Sequence, residues 1–218
     1  MVIKKARNSA QKTARKKSIL DSAEDLLKSS VSGLPTVIEI ANNCKLGKGT
    51  VYLYFQSKEH IFLELSEQFW FQTLDKIDQA FKNRTDVVSP FLGLEAMIQY
   101  WIDNPHIPKL LLMRDVVICP KLDADIISQV EMKRTVLLND FVDTYHFDTK
   151  VEQFHHKVQS SVQLILYSWQ QVTQYGRLSA SKQEIMQLVS PLFVSLWQPK
   201  SKRSSNMQSF KRLWNSLF

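Results

Sequence analysis

Hydroxyl, phenol and ammonium groups are concentrated between residues 36 and 58 of the chain. Together with one glycine they form the set Thr36, Lys48, Gly49, Thr50, Tyr52, Tyr54 and Lys58. Short hydroxyls can donate to a phosphate or a base edge, phenols can reach phosphate oxygens, and lysines can reach a guanine edge or a phosphate. A glycine among them lets the backbone come close to a groove. These residue types predict binding to double-stranded DNA.

A short helix is predicted to follow Thr36. The threonine hydroxyl can accept a hydrogen bond from a free backbone N–H at the helix start, and Glu39 completes a Thr-x-x-Glu capping box. Val37, Ile40 and Ala41 then give the helix one apolar stripe. The stripe stops at the polar residues 42–45, which predict a turn.

A second short helix is predicted from about residue 48 to residue 55. Val51 and Phe55 face inward at a spacing of four. The other side then carries Lys48, Gly49, Thr50, Tyr52 and Leu53. Two short helices joined by a tight turn form the outline of a helix-turn-helix, whose second helix lies in the major groove of DNA.

The same stretch resembles the N-terminal domain of the TetR family of transcriptional regulators. The matching residues, in order and spacing, are Thr36, Ile40-Ala41, Gly49-Thr50-Val51-Tyr52-x-Tyr54-Phe55, Ser57-Lys58-Glu59 and Ile61. The resemblance covers roughly residues 15–65. It implies an all-α regulator, most often a repressor, with DNA contacts at Thr36, Thr50, Tyr52, Tyr54 and Lys58. The positions of Lys48 and Gly49 vary within the family, as expected for residues that contact DNA bases and determine operator specificity.

The chain departs from the family pattern at two positions of the turn. Lys45 stands where the family usually has a glycine, and a lysine with positive φ would cost of order 1 kcal/mol. Gly47 replaces the usual serine cap of the second helix, at a cost of a few tenths of a kcal/mol. Both departures predict a local shift in turn geometry.

Positive charge is concentrated in the N-terminal part of the chain. Through Lys58 there are 11 lysines and arginines against 4 acidic residues, whereas from Glu59 onward there are 17 of each. This excess coincides with the motif, which favours phosphate binding over a merely solubilising segment. Residues 1–14 carry cations and no acid; we expect a flexible basic arm that reaches DNA, or else a frayed, solvated tail.

Composition favours helices for the rest of the chain, since 218 residues contain only five glycines and seven prolines. We expect a DNA-binding domain over residues 15–60, a helical regulatory and dimerisation domain over 61–198, and a basic tail with a short helix over 199–218. The predicted helices cover residues 13–30, 57–83, 90–101, 105–117 and 122–145. Ser89 and Asn104, each followed by proline, are predicted N-caps.

Two further capping boxes, at residues 149–152 and 181–184, open helices with apolar seams. The helices near 149–175 and 181–197 are predicted to form a homodimer interface, as the corresponding pair does in the TetR family. The alternative is that both are ordinary internal core helices.

Large apolar side chains in the C-terminal half could line a cavity for a small apolar ligand acting as an inducer. The candidates are Trp70, Met97, Trp101, Met113 and Trp169, although aromatics at helical spacing are more often plain core. A DNA binder without any ligand would have no such cavity, and it stays open as an alternative. An α-helical enzyme with an incidental basic leader is a second alternative.

No motif in the sequence argues for catalysis, a metal or a cofactor. His155 and His156 are adjacent, so their imidazoles do not converge on one metal. Cys44 and Cys119 have no metal spacing and are expected to be reduced thiols in a cytoplasmic protein. The basic N-terminus lacks an apolar signal region, and we expect no membrane association.

Overall fold

The computed structural model describes residues 2–30, 33–82, 89–145, 151–173 and 181–197, and all secondary structure within these ranges is helical. The helices are α1 (Val2–Ser29), α2 (Val37–Asn43), α3 (Lys48–Tyr52), α4 (Lys58–Lys82), α5 (Pro90–Asp103), α6 (His106–Met113), α7 (Ala124–Tyr145), α8 (Val151–Thr173) and α9 (Lys182–Trp197). A π-helical segment (Arg114–Ile118) and a 3₁₀ turn (Cys119–Lys121) join α6 to α7. The predicted all-α class is confirmed. Within the described ranges, none of the helices combines the length and apolarity needed to cross a bilayer.

Helices α1, α2 and α3 pack with the first half of α4 around a small core. Ile19 and Ala23 of α1, Ile40 of α2 and Val51 of α3 are all within 2% of complete burial. Phe55, just after α3, closes the core at 4% exposure. The apolar stripes therefore face inward as predicted, and the opposite face of α3 is left outside.

Helix α1 begins at Val2, well before the predicted start at residue 13. No glycine or proline occurs before Gly33, and residues 2–12 include the good helix formers alanine, lysine, arginine and glutamine. Nothing in this segment therefore stops the helix, and residues 2–14, predicted as an arm, continue α1 as helical backbone.

Helix α4 runs from the DNA-binding domain into the C-terminal domain. It starts directly after Ser57, the predicted cap, whose hydroxyl lies 3.0 Å from Nδ1 of His60. Its buried face extends from Ile61 to Phe81. The Trp101 indole of α5 donates to the Thr73 hydroxyl of α4 over 3.0 Å, and both residues are fully buried. The helix thus belongs to both cores.

The two predicted proline-containing helix starts differ in outcome. Ser89 caps α5 as expected, because its hydroxyl accepts from the Phe91 N–H over 3.3 Å. The prediction that Asn104 caps the next helix is wrong. Helix α5 continues to Asp103, so the Asn104 amide donates instead to the Tyr100 carbonyl of its last turn over 2.9 Å, and α6 starts after Pro105.

Helices α8 and α9 pack against each other and against the rest of the C-terminal domain. Ile165 of α8 and Ile185 and Val189 of α9 are completely buried. At the start of α9, the Ser181 hydroxyl accepts from the Glu184 N–H over 3.2 Å, and a Glu184 carboxylate oxygen accepts from the Ser181 N–H over 3.1 Å. This capping box is confirmed. The box at 149–152 and the tail at 199–218 lie outside the described residues.

Candidate nucleic-acid interface and regulatory cavity

The turn between α2 and α3 contains a left-handed residue at Lys45, so the shift in turn geometry expected from this lysine is not seen there. Lys45 has φ +55°, and the N–H of Leu46 donates to the Ala41 carbonyl over 2.9 Å to close the turn. Gly47 is the extended N-cap of α3 and offers no side-chain hydrogen bond. A lysine therefore occupies the left-handed position that glycine usually fills, at a cost of about 1 kcal/mol.

The Thr36–Glu39 capping box is complete. The Thr36 hydroxyl accepts from the Glu39 N–H over 3.3 Å, and Oε2 of Glu39 accepts from both the N–H and the hydroxyl of Thr36 over 2.7 Å. The Thr36 N–H and hydroxyl lower the pKa of Glu39 by binding its carboxylate. Because its hydroxyl is already bound, Thr36 must exchange a partner before it can donate to a phosphate.

The outer face of α3 presents the residues predicted to meet DNA. Lys48 and Gly49 are exposed, Thr50 is half-buried and Tyr52 is 44% exposed. Nζ of Lys48 lies 5.8 Å from the centre of the Tyr52 ring, so the two side chains share one surface. Helix α3 ends at Tyr52, before the predicted residue 55, because the chain there turns toward the core.

The turn after α3 places two more side chains at the edge of this face. Leu53 is 83% exposed, whereas Tyr54 is half-buried against the core. An exposed apolar side chain beside a reading helix suits contact with a thymine methyl. The sequence analysis placed Leu53 on the outer side of the helix but did not include it among the DNA-binding residues. The signal that could have identified it was the occurrence of a leucine among the polar residues of that side.

Lysines around α3 differ in whether they are paired. Lys16 of α1 is bound to Glu64 of α4 over 2.7 Å and lies 5.4 Å from the centre of the Phe55 ring. Lys48 and Lys58 form no ion pair with any carboxylate of the described residues. Lys16 therefore ties α1 to α4, while the other two can pair with phosphates without first breaking an ion pair.

The five predicted ligand residues do not line one cavity. Trp70 and Met97 border a narrow apolar cleft of about 70 Å³, whereas Met113 and Trp169 border a wide surface recess of about 800 Å³. Trp101 is fully buried and hydrogen-bonded to Thr73, as a core residue is.

A third cavity, of about 430 Å³, lies between α4, the π-helical segment, α7 and α8. We call it the arginine cavity, because Arg114 and Arg134 line it together with Trp70 and apolar residues of α7 and α8. Sequence reasoning missed both arginines. The available signal was Arg114 itself, a charged residue that lies between two apolar runs, Leu110 to Met113 and Val116 to Ile118.

Helix α6 and the turn after it connect this region to the DNA-binding domain. Nε2 of His106 lies 3.3 Å from Oε1 of Glu24 in α1, and its ring packs edge-on against Phe69 at 5.3 Å. Burial lowers the pKa of His106, with Glu24 opposing the effect. Lys109 donates to the Ser30 carbonyl over 2.5 Å. A shift of α6 would therefore be felt directly by α1.

These features define a helix-turn-helix DNA-binding protein with a helical C-terminal domain. A family model described as "Bacterial regulatory proteins, tetR family" matches residues 19–65. The match covers the helix-turn-helix, so the N-terminal domain of the chain is similar to the DNA-binding domain of TetR-family transcriptional regulators. No curated protein sequence matches the chain.

Solved TetR-type regulators share the fold over most of the chain. The fatty acid degradation regulator FadR from Bacillus halodurans is 18% identical, with a TM-score of 0.56 and coverage of 87% of this chain and 97% of that chain. A TetR-family regulator from Streptomyces coelicolor is 16% identical, with a TM-score of 0.54 and coverage of 84% and 96%. One from Marinobacter aquaeolei VT8 is 16% identical, with a TM-score of 0.51 and coverage of 87% and 96%. At these identities the likeness concerns the fold.

Proposed function

We propose that the protein is a cytoplasmic, ligand-responsive repressor that binds a palindromic operator as a homodimer. Each subunit would place α3 in a major groove, with Lys48, Gly49 and Thr50 facing base edges. Tyr52, Tyr54, Lys58 and, after an exchange of its cap bond, Thr36 would hold the phosphates.

The dimer is supported by apolar side chains that α8 and α9 leave exposed. Tyr167 of α8 is 60% exposed, and Leu188 and Leu192 of α9, one helical turn apart, are 50% and 55% exposed. Large apolar side chains left exposed on two helices that pack against each other are more typical of an interface than of a free surface. A twofold dimer would present two recognition helices to the two halves of an inverted repeat.

Selection of bound duplexes from a random pool tests the operator directly. The proposal predicts enrichment of an inverted repeat with half-sites about one helical turn apart. Enrichment of a single asymmetric half-site, or of no sequence, would contradict a dimer that reads a palindrome.

The interface is tested by replacing Leu192 with aspartate and measuring the mass in solution by analytical ultracentrifugation. A buried, unpaired carboxylate would disfavour association, so Leu192→Asp should be a monomer where the wild type is a dimer. Val136→Asp on α7 is a matched control, since Val136 is 53% exposed and lies outside the proposed interface. A dimeric Leu192→Asp protein, or a monomeric control, would rule out this interface.

The arginine cavity favours a ligand-responsive regulator over a ligand-independent DNA binder, for which we expected no cavity. Its volume of about 430 Å³ lies in the range of small-molecule sites. A ligand can shift the protein between DNA-binding and released states only by its difference in affinity for the two.

A further inference from the structure

Three ionised side chains at the arginine cavity are held in the protein interior. The side chains of Arg114, Arg134 and Glu67 are 8%, 16% and 13% exposed. Arg134 donates to both carboxylate oxygens of Glu67, over 2.8 and 2.6 Å. Nε of Arg114 lies 3.5 Å from the same carboxylate and has no hydrogen-bond acceptor among the described residues. Two cations therefore share one buried anion.

Two further carboxylates reach in from the surface and bind Arg114. Asp115 binds Nη1 of Arg114 over 2.6 Å, and Glu131 binds its Nη2. The side chains of Asp115 and Glu131 are 55% and 51% exposed, so each can swing into water at little cost. The buried charges alone sum to one net positive charge, and the two exposed carboxylates bring the five groups to one net negative charge, so an anion can bind Arg114 only in exchange for them.

Much of the remaining cavity wall is apolar, although Thr135, Gln159 and Gln163 also line it, and four of its apolar residues border the narrow cleft as well. Trp70, Leu138, Val158 and Val162 line both spaces, and the cleft extends between α5 and α9. The indole N–H of Trp70 is buried and has no acceptor among the described residues, an exception that calls for an explanation. One end of the combined space thus carries the two arginines with their carboxylate partners, and the other suits a hydrocarbon chain.

The backbone at the cationic end is also unusual. Arg114 is the first residue of the π-helical segment, a geometry that is rare and often marks functional sites. The segment continues α6, which contacts α1 through His106 and the residue directly after α1, Ser30, through Lys109. An occupant that binds Arg114 would therefore act on the same helix that contacts the DNA-binding domain.

We propose that the arginine cavity binds an amphipathic carboxylate, a monoanion with an unbranched apolar chain. The head takes the place of Glu131 and Asp115 on Arg114, where a carboxylate can accept two parallel N–H bonds. The chain passes Trp70 into the apolar cleft. The effect on DNA rests on the proposed ligand-responsive function, whereas binding itself does not.

Calorimetric titration of the full-length protein with decanoate, decanol and decylamine separates the contribution of the head from that of the chain. Decanoate should bind at least tenfold more tightly than decanol, and decylamine and acetate should bind far more weakly. Equal affinity for decanol and decanoate would overturn the anionic head. Absence of decanoate binding, or tight binding of acetate, would overturn the amphipathic site.

Two variants remove one acidic group each from α7. Glu131→Gln removes the carboxylate that the ligand must displace, so decanoate should bind about two- to fivefold more tightly, as expected for one exposed ion pair. Asp140→Asn removes an exposed carboxylate from the same helix outside the cavity and should leave affinity unchanged. An equal gain in both variants would show a general charge effect and overturn the exchange.

Arg114→Lys keeps the charge but loses the two-pronged geometry, so decanoate binding should weaken about tenfold while decanol binding stays unchanged. The melting temperature of Arg114→Lys without ligand shows whether this variant is folded. The tighter decanoate binding expected for Glu131→Gln is an independent check, because a damaged fold would weaken binding. Unchanged decanoate affinity in folded Arg114→Lys would refute the placement of the head. Decanoate that binds but does not release operator DNA would support the site and refute the ligand-responsive regulation.

Discussion

Replacing Lys58 with alanine gives a quantitative test of how the protein meets the phosphate backbone. Lys58 is the first residue of α4, half-buried, and forms no ion pair with the described carboxylates. Its ammonium can therefore bind a phosphate without first breaking a protein contact. Each phosphate neutralised by a cation adds about 0.9 to the slope of log K against log salt concentration.

The expected size of the effect follows from that slope. Loss of one contact per subunit should reduce the slope by about 0.9, or about 1.8 for a dimer on one operator. At 0.1 M salt this corresponds to about 1 kcal/mol per contact, so a dimer should lose roughly 30-fold in affinity. The loss should shrink as the salt concentration rises, because counterion release then contributes less.

Gel-shift titrations at several salt concentrations measure both the affinity and the slope. Tyr52→Phe removes a neutral phenol, so it should weaken binding across sequences and leave the slope unchanged. Lys133→Ala on α7 is the matched charge control; its side chain is exposed and outside the DNA-binding domain, and it should change neither quantity.

Two results would refute this reasoning. If Lys58→Ala and Lys133→Ala lower the slope equally, the effect belongs to net charge and not to a contact. If Lys58→Ala lowers affinity without changing the slope, Lys58 acts through the structure of α4 and not through a phosphate.

Three other predictions concern stability, each measured by urea unfolding. Thr36→Ala removes the cap of α2 and should cost about 1 kcal/mol, whereas Thr36→Ser should keep most of it; equal losses would contradict the capping role. Lys45→Gly relieves a residue at φ +55° and should stabilise the fold by up to about 1 kcal/mol, and a destabilised variant would contradict strain there. Burial holds the pKa of His106 below its ordinary value of 6.5, so neutral His106 stabilises the fold above pH 6.5, and this stability is lost as the pH falls through the folded-state pKa. Between pH 7.5 and 5.5 the wild type should therefore lose more stability than His106→Gln, and identical losses would exclude His106 as the cause.

Local features of the DNA-binding domain could be predicted because each depends on a few neighbouring residues. The capping box at Thr36 needs only a residue three positions later. The inward positions of Val51 and Phe55 follow from helical periodicity. The TetR family model matches this same segment, residues 19–65, for which the sequence pattern is local.

Features that depend on distant residues could not be predicted in the same way. The ionised cluster of the arginine cavity joins Glu67, Arg114, Glu131 and Arg134 from α4, the π-helical segment and α7. Apart from Glu131 and Arg134, which lie three residues apart on α7, no spacing along the chain relates these positions. The capping prediction for Asn104 was wrong for a related reason. Its side chain lies between the end of α5 and the start of α6, and because α5 continues to Asp103, the amide binds the end of α5.

Helix α4 runs without a break through both domains, with Trp70 near its midpoint, so a rotation of the helix at Trp70 moves its N-terminal end. From Trp70 to Lys58 the helix spans twelve residues, about 18 Å at 1.5 Å per residue. A tilt of about 5° pivoting there carries Lys58 sideways by about 1.6 Å, and in the proposed dimer opposite tilts of the two subunits would change the separation of their DNA-binding domains by about 3 Å. Against half-sites roughly 34–36 Å apart, a small rotation beside a bound molecule is mechanically enough to misalign both domains.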